Sequence, residues 1–156
     1  MPENREKMTA DGHHTYLFEP SRWDLHGVFS DPSGREIPVE GSSLILHSDN
    51  LWFLEGRLRI LYDSPLETAH SCTILPFPTG AAETTWTSHH PELGRQAGRF
   101  VVVDNTILSL FRSTDTPYHG SEWLRQMTPQ TYEGRGILLA GDRLVSAWAV
   151  TLRRQE

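Results

Sequence analysis

Residues 42–61 read SSLILHSDNLWFLEGRLRIL. Two apolar runs flank Asp49 and Asn50, residue types that tolerate the backbone angles of a two-residue hairpin turn. With that turn, Ser48 faces Leu51 and His47 faces Trp52. Side chains alternate across a strand, so Ile45, His47, Trp52, Leu54, Leu58 and Ile60 fall on one face, which reads as interior. The other face mixes Leu44, Leu46 and Phe53 with Glu55, Arg57 and Arg59, as a solvated outer surface does.

Working outward, the same punctuation recurs: short runs rich in Val, Ile, Leu, Phe, Trp and Thr, broken by Gly, Pro, Asp, Asn and Ser. The pattern predicts strands over 23–29, 35–39, 42–48, 51–61, 70–76, 83–88, 98–103, 106–113, 132–140 and 143–152. One short helix is expected over 121–127, with Ser121 as its N-cap and Pro129 beyond its end. Residues 1–14 carry alternating charges without apolar periodicity and read as a flexible leader, leaving 15–156 as a single domain. Tight turns at Asp49-Asn50, Asp104-Asn105 and Gly141-Asp142, with a slightly longer one over 78–81, all fall at one expected end. The longer connections 62–69, 89–97 and 114–131 fall at the other. The expected fold is an all-β, antiparallel up-and-down barrel of about eight to ten strands with one short helix, closed at one end and looped at the other. A sandwich of hairpins and longer crossovers is the alternative.

Composition narrows the function classes. The 156 residues include five Trp, and 14 Lys and Arg stand against 20 Asp and Glu, for a net charge of −6. With no basic stripe to offset that charge, nucleic acid is not an expected partner. Cys72 is the only cysteine, which excludes an intramolecular disulfide. The first 14 residues lack the apolar core of a signal peptide, and no apolar run approaches the roughly 18 residues that span a bilayer. A cytoplasmic protein without membrane association is expected.

Two further hairpins carry apolar residues on both faces. Pairing about Gly141-Asp142 puts Arg135 opposite Trp148, with Glu133 next along that face, and leaves Gly134, Gly136, Ala147 and Ala149 as a small-residue strip behind. In the hairpin of 98–113, Phe100, Val102, Ile107 and Phe111 oppose Val101, Val103, Leu108 and Leu110. Burial on both sides points to a homodimer.

The order of elements, with ten short strands, a Trp on the first of them, one late helix and a last strand ending at Arg153, resembles the calycin group of lipocalin-like barrels over about residues 23–153. The first strand, Trp23-Asp24-Leu25-His26-Gly27-Val28-Phe29, departs from the Gly-any-Trp opening usual in lipocalins. The resemblance implies a barrel that holds a small apolar or aromatic molecule, and that in some relatives works as an isomerase, cyclase or decarboxylase.

The candidate ligand-binding residues are His47, Trp52, Trp86, Arg135 and Trp148. His47 beside Trp52 offers a hydrogen bond in an aromatic wall, or is a core histidine satisfied by a hydroxyl such as Ser43. Arg135 over Trp148 suits a carboxylate or carbonyl, or else belongs to a surface cluster. His70, His89, His90 and His119 gather near the looped end, without the spacing of a metal site, and His89 and His90 point to opposite sides if the strand runs through them. No Gly-x-Ser-x-Gly elbow or phosphate loop occurs, so neither catalytic residues nor a cofactor are assigned. Three functions follow from these residues. The first is a binding barrel with a cavity of about 300 Å³ or more, and the second an acid-base enzyme using a His with Glu133 or Arg135. The third is a filled structural domain.

Overall fold

The computed structural model describes residues 14–156. Ten strands follow one another: β1 (Ser21–Ser30), β2 (Glu36–His47), β3 (Trp52–Ile60), β4 (Leu66–Ile74), β5 (Glu83–His90), β6 (Gly94–Val103), β7 (Thr106–Ser113), β8 (Tyr118–Thr128), β9 (Thr131–Ala140) and β10 (Arg143–Arg154). Each pairs antiparallel with the next, and β1 closes onto β10 with Phe29 opposite Trp148, so the sheet is a closed barrel. The opening hairpin has the expected register, His47 opposite Trp52 and Ile45 opposite Leu54. Ile45, Leu54 and Ile60 are buried, while Glu55, Arg57 and Arg59 face solvent.

Four expectations are corrected. Residues 35–39 and 42–48 form one strand, β2, because both flanks of Gly41 are paired to β1 and β3. The helix expected over 121–127 is strand β8. Its Glu, Leu, Arg, Gln and Met favour helices when no partner is available, but here β7 and β9 supply hydrogen bonds on both sides. A helix at that place would leave two open sheet edges. The extra strand changes the parity of every later connection, so the Gly141-Asp142 turn, with Gly141 at φ 61°, lies at the opposite end from Asp104-Asn105. Finally, a bulge between Leu144 and Ser146 shifts the last hairpin by one residue, placing Trp148 opposite Gly136 and Arg135 opposite Ala149. A one-residue slip turns each side chain to the other face. Trp148 therefore points inward and Arg135 outward.

Residues 14–20 close one end of the barrel. His14, Tyr16 and Leu17 are buried against Trp23 and Tyr132. His14 Nε2 lies 2.9 Å from the Asp104 carbonyl, which can only accept, so Nε2 carries the proton and Nδ1 accepts from the Tyr132 hydroxyl at 2.7 Å. The Tyr132 oxygen in turn accepts from the Thr15 and Tyr16 amides. Leu17 is held at φ 74°, a left-handed conformation that costs an ordinary side chain about 1–2 kcal/mol. Its side chain is fully buried and its carbonyl accepts from His47 Nε2 at 2.8 Å. Of the leader expected over 1–14, residues 1–13 lie outside the described residues. Among those described, no helix is long and apolar enough to cross a membrane.

Candidate functional site

Inside the barrel, beyond the plug, lies a cavity of about 330 Å³. It forms because four inward rings lie flat against the wall. Each faces a glycine directly across the ladder: His70 on Gly56, Trp86 on Gly98, Phe111 on Gly120 and Trp148 on Gly136. A β-carbon on Gly98 or Gly136 would stand 2.2 Å from the indole above it. Without those methyl positions, the rings fold down over bare backbone instead of filling the centre. Between the flattened rings the wall is apolar, with Leu54, Phe100 and Leu124 among its residues.

The polar groups are few. Glu122 on β8 faces the cavity, and its Oε2 accepts from Trp148 Nε1 at 2.6 Å. No Lys or Arg pairs with it among the described residues. Trp86 Nε1 and Gln96 Nε2 are buried donors without a protein partner, in residues only 8% and 9% exposed. Leaving such a donor unpaired costs about 1–3 kcal/mol. His70 and His90 stand toward the looped end, their ring centroids 6.3 Å apart. There β4 and β5 pair only between Ser71 opposite His89 and Ile74 opposite Trp86, so the upper half of β4 is free of β5. The Glu92 and Leu93 amides both donate to His90 Nδ1, which leaves the proton on Nε2, 3.3 Å from Thr68 Oγ1. His89 points outward, as adjacency required.

Of the five residues singled out from sequence, Trp86 and Trp148 line this cavity. His47 and Trp52 do not: they stack at 4.2 Å at the plugged end, with Trp52 against Phe18 and Phe77. Arg135 lies outside, 5.8 Å from the Trp123 ring, and Glu133 pairs with Arg125 on the same outer surface. Glu122 and Gln96 were missed because the helix reading and a predicted connection covered them. The inward alternation of Glu122, Leu124 and Gln126 was the signal that would have exposed the first. A larger depression of about 600 Å³ lies on the outer surface beside Asp24, Glu40 and Arg59. It is open and charged, without unpartnered buried donors, and the interior cavity is the better candidate. Among the described residues no three of His, Cys, Asp and Glu come together as metal ligands.

At the level of sequence, no known protein family and no curated protein matches the chain. Solved structures do. The S-type phycobiliprotein lyase CPES from Guillardia theta aligns over 99% of this chain and 97% of its own, with TM-score 0.68 and 9% identity. Rv2717c from M. tuberculosis aligns over 88% of this chain and 92% of its own, with TM-score 0.67 and 14% identity. The fold is that of the calycin group.

Within this calycin-type barrel, burial governs the ionisable groups. Burial raises the Glu122 carboxyl above its ordinary 4.5, against the Trp148 hydrogen bond, which favours the ionised form. The Cys72 thiol is pushed up to about 12 by burial, which keeps it protonated and unreactive. His70 falls below 6.5, first from burial and then from the nearby His90. These shifts act on stability in opposite directions. The folded barrel holds the Glu122 proton more tightly than the unfolded chain does, so this contribution is complete below about pH 4.5 and is lost as pH rises through the folded value. His70 binds its proton less tightly when folded, so its penalty appears as pH falls below 6.5. Glu122→Gln keeps an acceptor for Trp148 but cannot ionise. Its stability relative to the parent is expected to rise as pH climbs above about 4.5 and to level off above the folded value in urea titrations. A pH-independent difference would show that Glu122 is not desolvated.

Proposed function

We propose that this barrel binds a small, largely apolar or aromatic molecule in its interior. The observation that carries the reading is the interior cavity itself, about 330 Å³ and kept open where the rings of Trp86, Phe111 and Trp148 lie flat over glycines. The cavity volume of about 330 Å³ falls in the range of small-molecule sites, and its mainly apolar wall with a few convergent polar groups is their usual composition. The likeness to a phycobiliprotein lyase makes a linear tetrapyrrole a probe to include in any ligand panel.

Native mass spectrometry of protein purified gently from its own cells tests the reading, with a stoichiometric adduct of small-molecule mass as the expected result. Ser109→Phe, which places a ring in the lumen from a buried cavity-lining position, is expected to abolish the adduct while leaving a cooperative unfolding transition. An adduct that survives this substitution places the ligand elsewhere.

A cofactor-independent enzyme is the second reading. It rests on one acid raised by burial and one histidine lowered by it, Glu122 and His70, in one cavity, the divergence that acid-base chemistry exploits. It predicts that ligand recovered after incubation at neutral pH is chemically altered, in chromatographic retention and fragmentation for an isomerisation or cyclisation and in mass for a decarboxylation, whereas a binding barrel returns its ligand intact. A cytoplasmic homodimer remains part of the proposal, its contact being the outer strip where Val103 and Leu110 are each more than half exposed.

A further inference from the structure

A guest must cross the barrel wall somewhere, and most of the boundary is shut. Residues 14–20 plug one end. Toward the other, Ile37, Val39, Ile60 and Val150 are buried together with Phe29, Leu58 and Trp148 packed on them, and they occupy the lumen beside β1, β2, β3 and β10. On the β6–β7 side the rim is tied down. The Thr116 and Thr114 hydroxyls donate to the Leu93 and Arg95 carbonyls at 3.0 and 3.3 Å, and the Arg95 amide donates to Asp115 Oδ1 at 3.1 Å. Between β4 and β5 the wall is weaker. β4 pairs with β3 along its whole length, from Leu66 opposite Ile60 to Ile74 opposite Trp52. β5 ends at His90, and its last rung with β4 is Ser71 opposite His89, so residues 66–70 have no strand partner on that side. Leu66, Thr68 and His70 border this notch from β4, with His90, Glu92 and Leu93 across from them, and each also lines the cavity. Above the last rung, one hydrogen bond spans the notch among the described residues, from His90 Nε2 to Thr68 Oγ1 at 3.3 Å.

We infer that the guest enters and leaves through the notch between β4 and β5, with the hydrogen bond from His90 to Thr68 as its latch. The inference rests on the cavity being a ligand site. Opening here breaks that one bond and leaves every ladder intact, whereas opening elsewhere breaks rungs, the tied rim or the plug, and local opening follows the least protected route. The passage behind the latch is clear, because the His70 ring lies on Gly56, against the β3 wall. Leu66 and Leu93 give the lip apolar surface, which suits a largely apolar guest. A gate lies on the path of the guest and takes no part in the bound state. It therefore changes uptake and release by one factor and leaves affinity constant.

N-phenylnaphthylamine, a neutral apolar probe that brightens on leaving water, reports both rates in stopped-flow fluorescence. Thr68→Val removes the acceptor of the latch at nearly constant shape. Uptake and release are expected to quicken together, about threefold or more, as the loss of one hydrogen bond allows. Leu66→Trp lays a ring across the lip and is expected to slow both rates about fivefold or more, as a stiffer lid does. The two variants thus move the rates in opposite directions, and equilibrium binding at the parent's affinity shows that both are folded. Rates that neither substitution moves, or an affinity that changes while the uptake rate does not, overturn the inference and place the passage elsewhere. If the parent takes up no probe, the binding reading falls and the inference with it.

Discussion

Trp23→Ala is expected to destabilise the barrel by about 3–5 kcal/mol, the range for deleting a large aromatic side chain from a packed core. Trp23 is fully buried on the first strand, edge-on to Tyr16 at 5.2 Å and to Tyr132 at 5.6 Å, and its indole N–H donates to Ser21 Oγ at 2.8 Å. Tyr16 and Tyr132 belong to the hydrogen-bonded plug around His14, so the loss extends beyond one side chain. Wherever this tryptophan is removed, residues 14–20 lose the surface they pack on. Urea unfolding followed by far-ultraviolet circular dichroism measures the effect as a lowered midpoint at unchanged slope. A loss below about 1 kcal/mol would mean that the plug is not part of the cooperative unit.

Gly136→Val is the second large effect, and its sign is opposite to what strand propensity suggests. Valine is favoured over glycine in strands, and Gly136 lies within β9. A β-carbon there, however, would sit 2.2 Å from Trp148 Cζ2. The indole must lift into the cavity, which breaks its 2.6 Å hydrogen bond to Glu122. Overpacking costs about 1–3 kcal/mol and a lost hydrogen bond to a charged group about 1.5–3. With partial relaxation the expected destabilisation is about 2–4 kcal/mol. Ligand uptake should fall in parallel, since the displaced ring occupies the space a guest requires. Unchanged or higher stability, with Trp148 fluorescence and ligand uptake intact, would show that the ring does not depend on bare backbone beneath it.

How much of this was legible beforehand differs from residue to residue. The inward face of the opening hairpin was, because the apolar alternation around Asp49-Asn50 admits one register. His47 and Trp52 were correctly read as inward neighbours, yet inward does not mean cavity-lining. Their depth along the barrel was set by the plug, whose Leu17 carbonyl accepts a hydrogen bond from His47 Nε2. Glu122 was hidden by composition, since Ser-Glu-Trp-Leu-Arg-Gln-Met suits a helix until two neighbouring strands compete for its backbone. Arg135 was misplaced by a bulge that no residue type announces: Leu144 to Ser146 reads like any other strand.

The sequence by itself determined an all-β antiparallel chain, its hairpin turns and the inward face of its clearest strands, because these depend on alternation and turn chemistry between residues close along the chain. Tertiary structure alone decided the tenfold closure, the fate of 121–127, the bulge that separates Arg135 from Trp148, and the glycine-ring pairs that keep the centre open. Each of these depends on partners far apart in sequence, where the free energy of pairing or packing outweighs local preference.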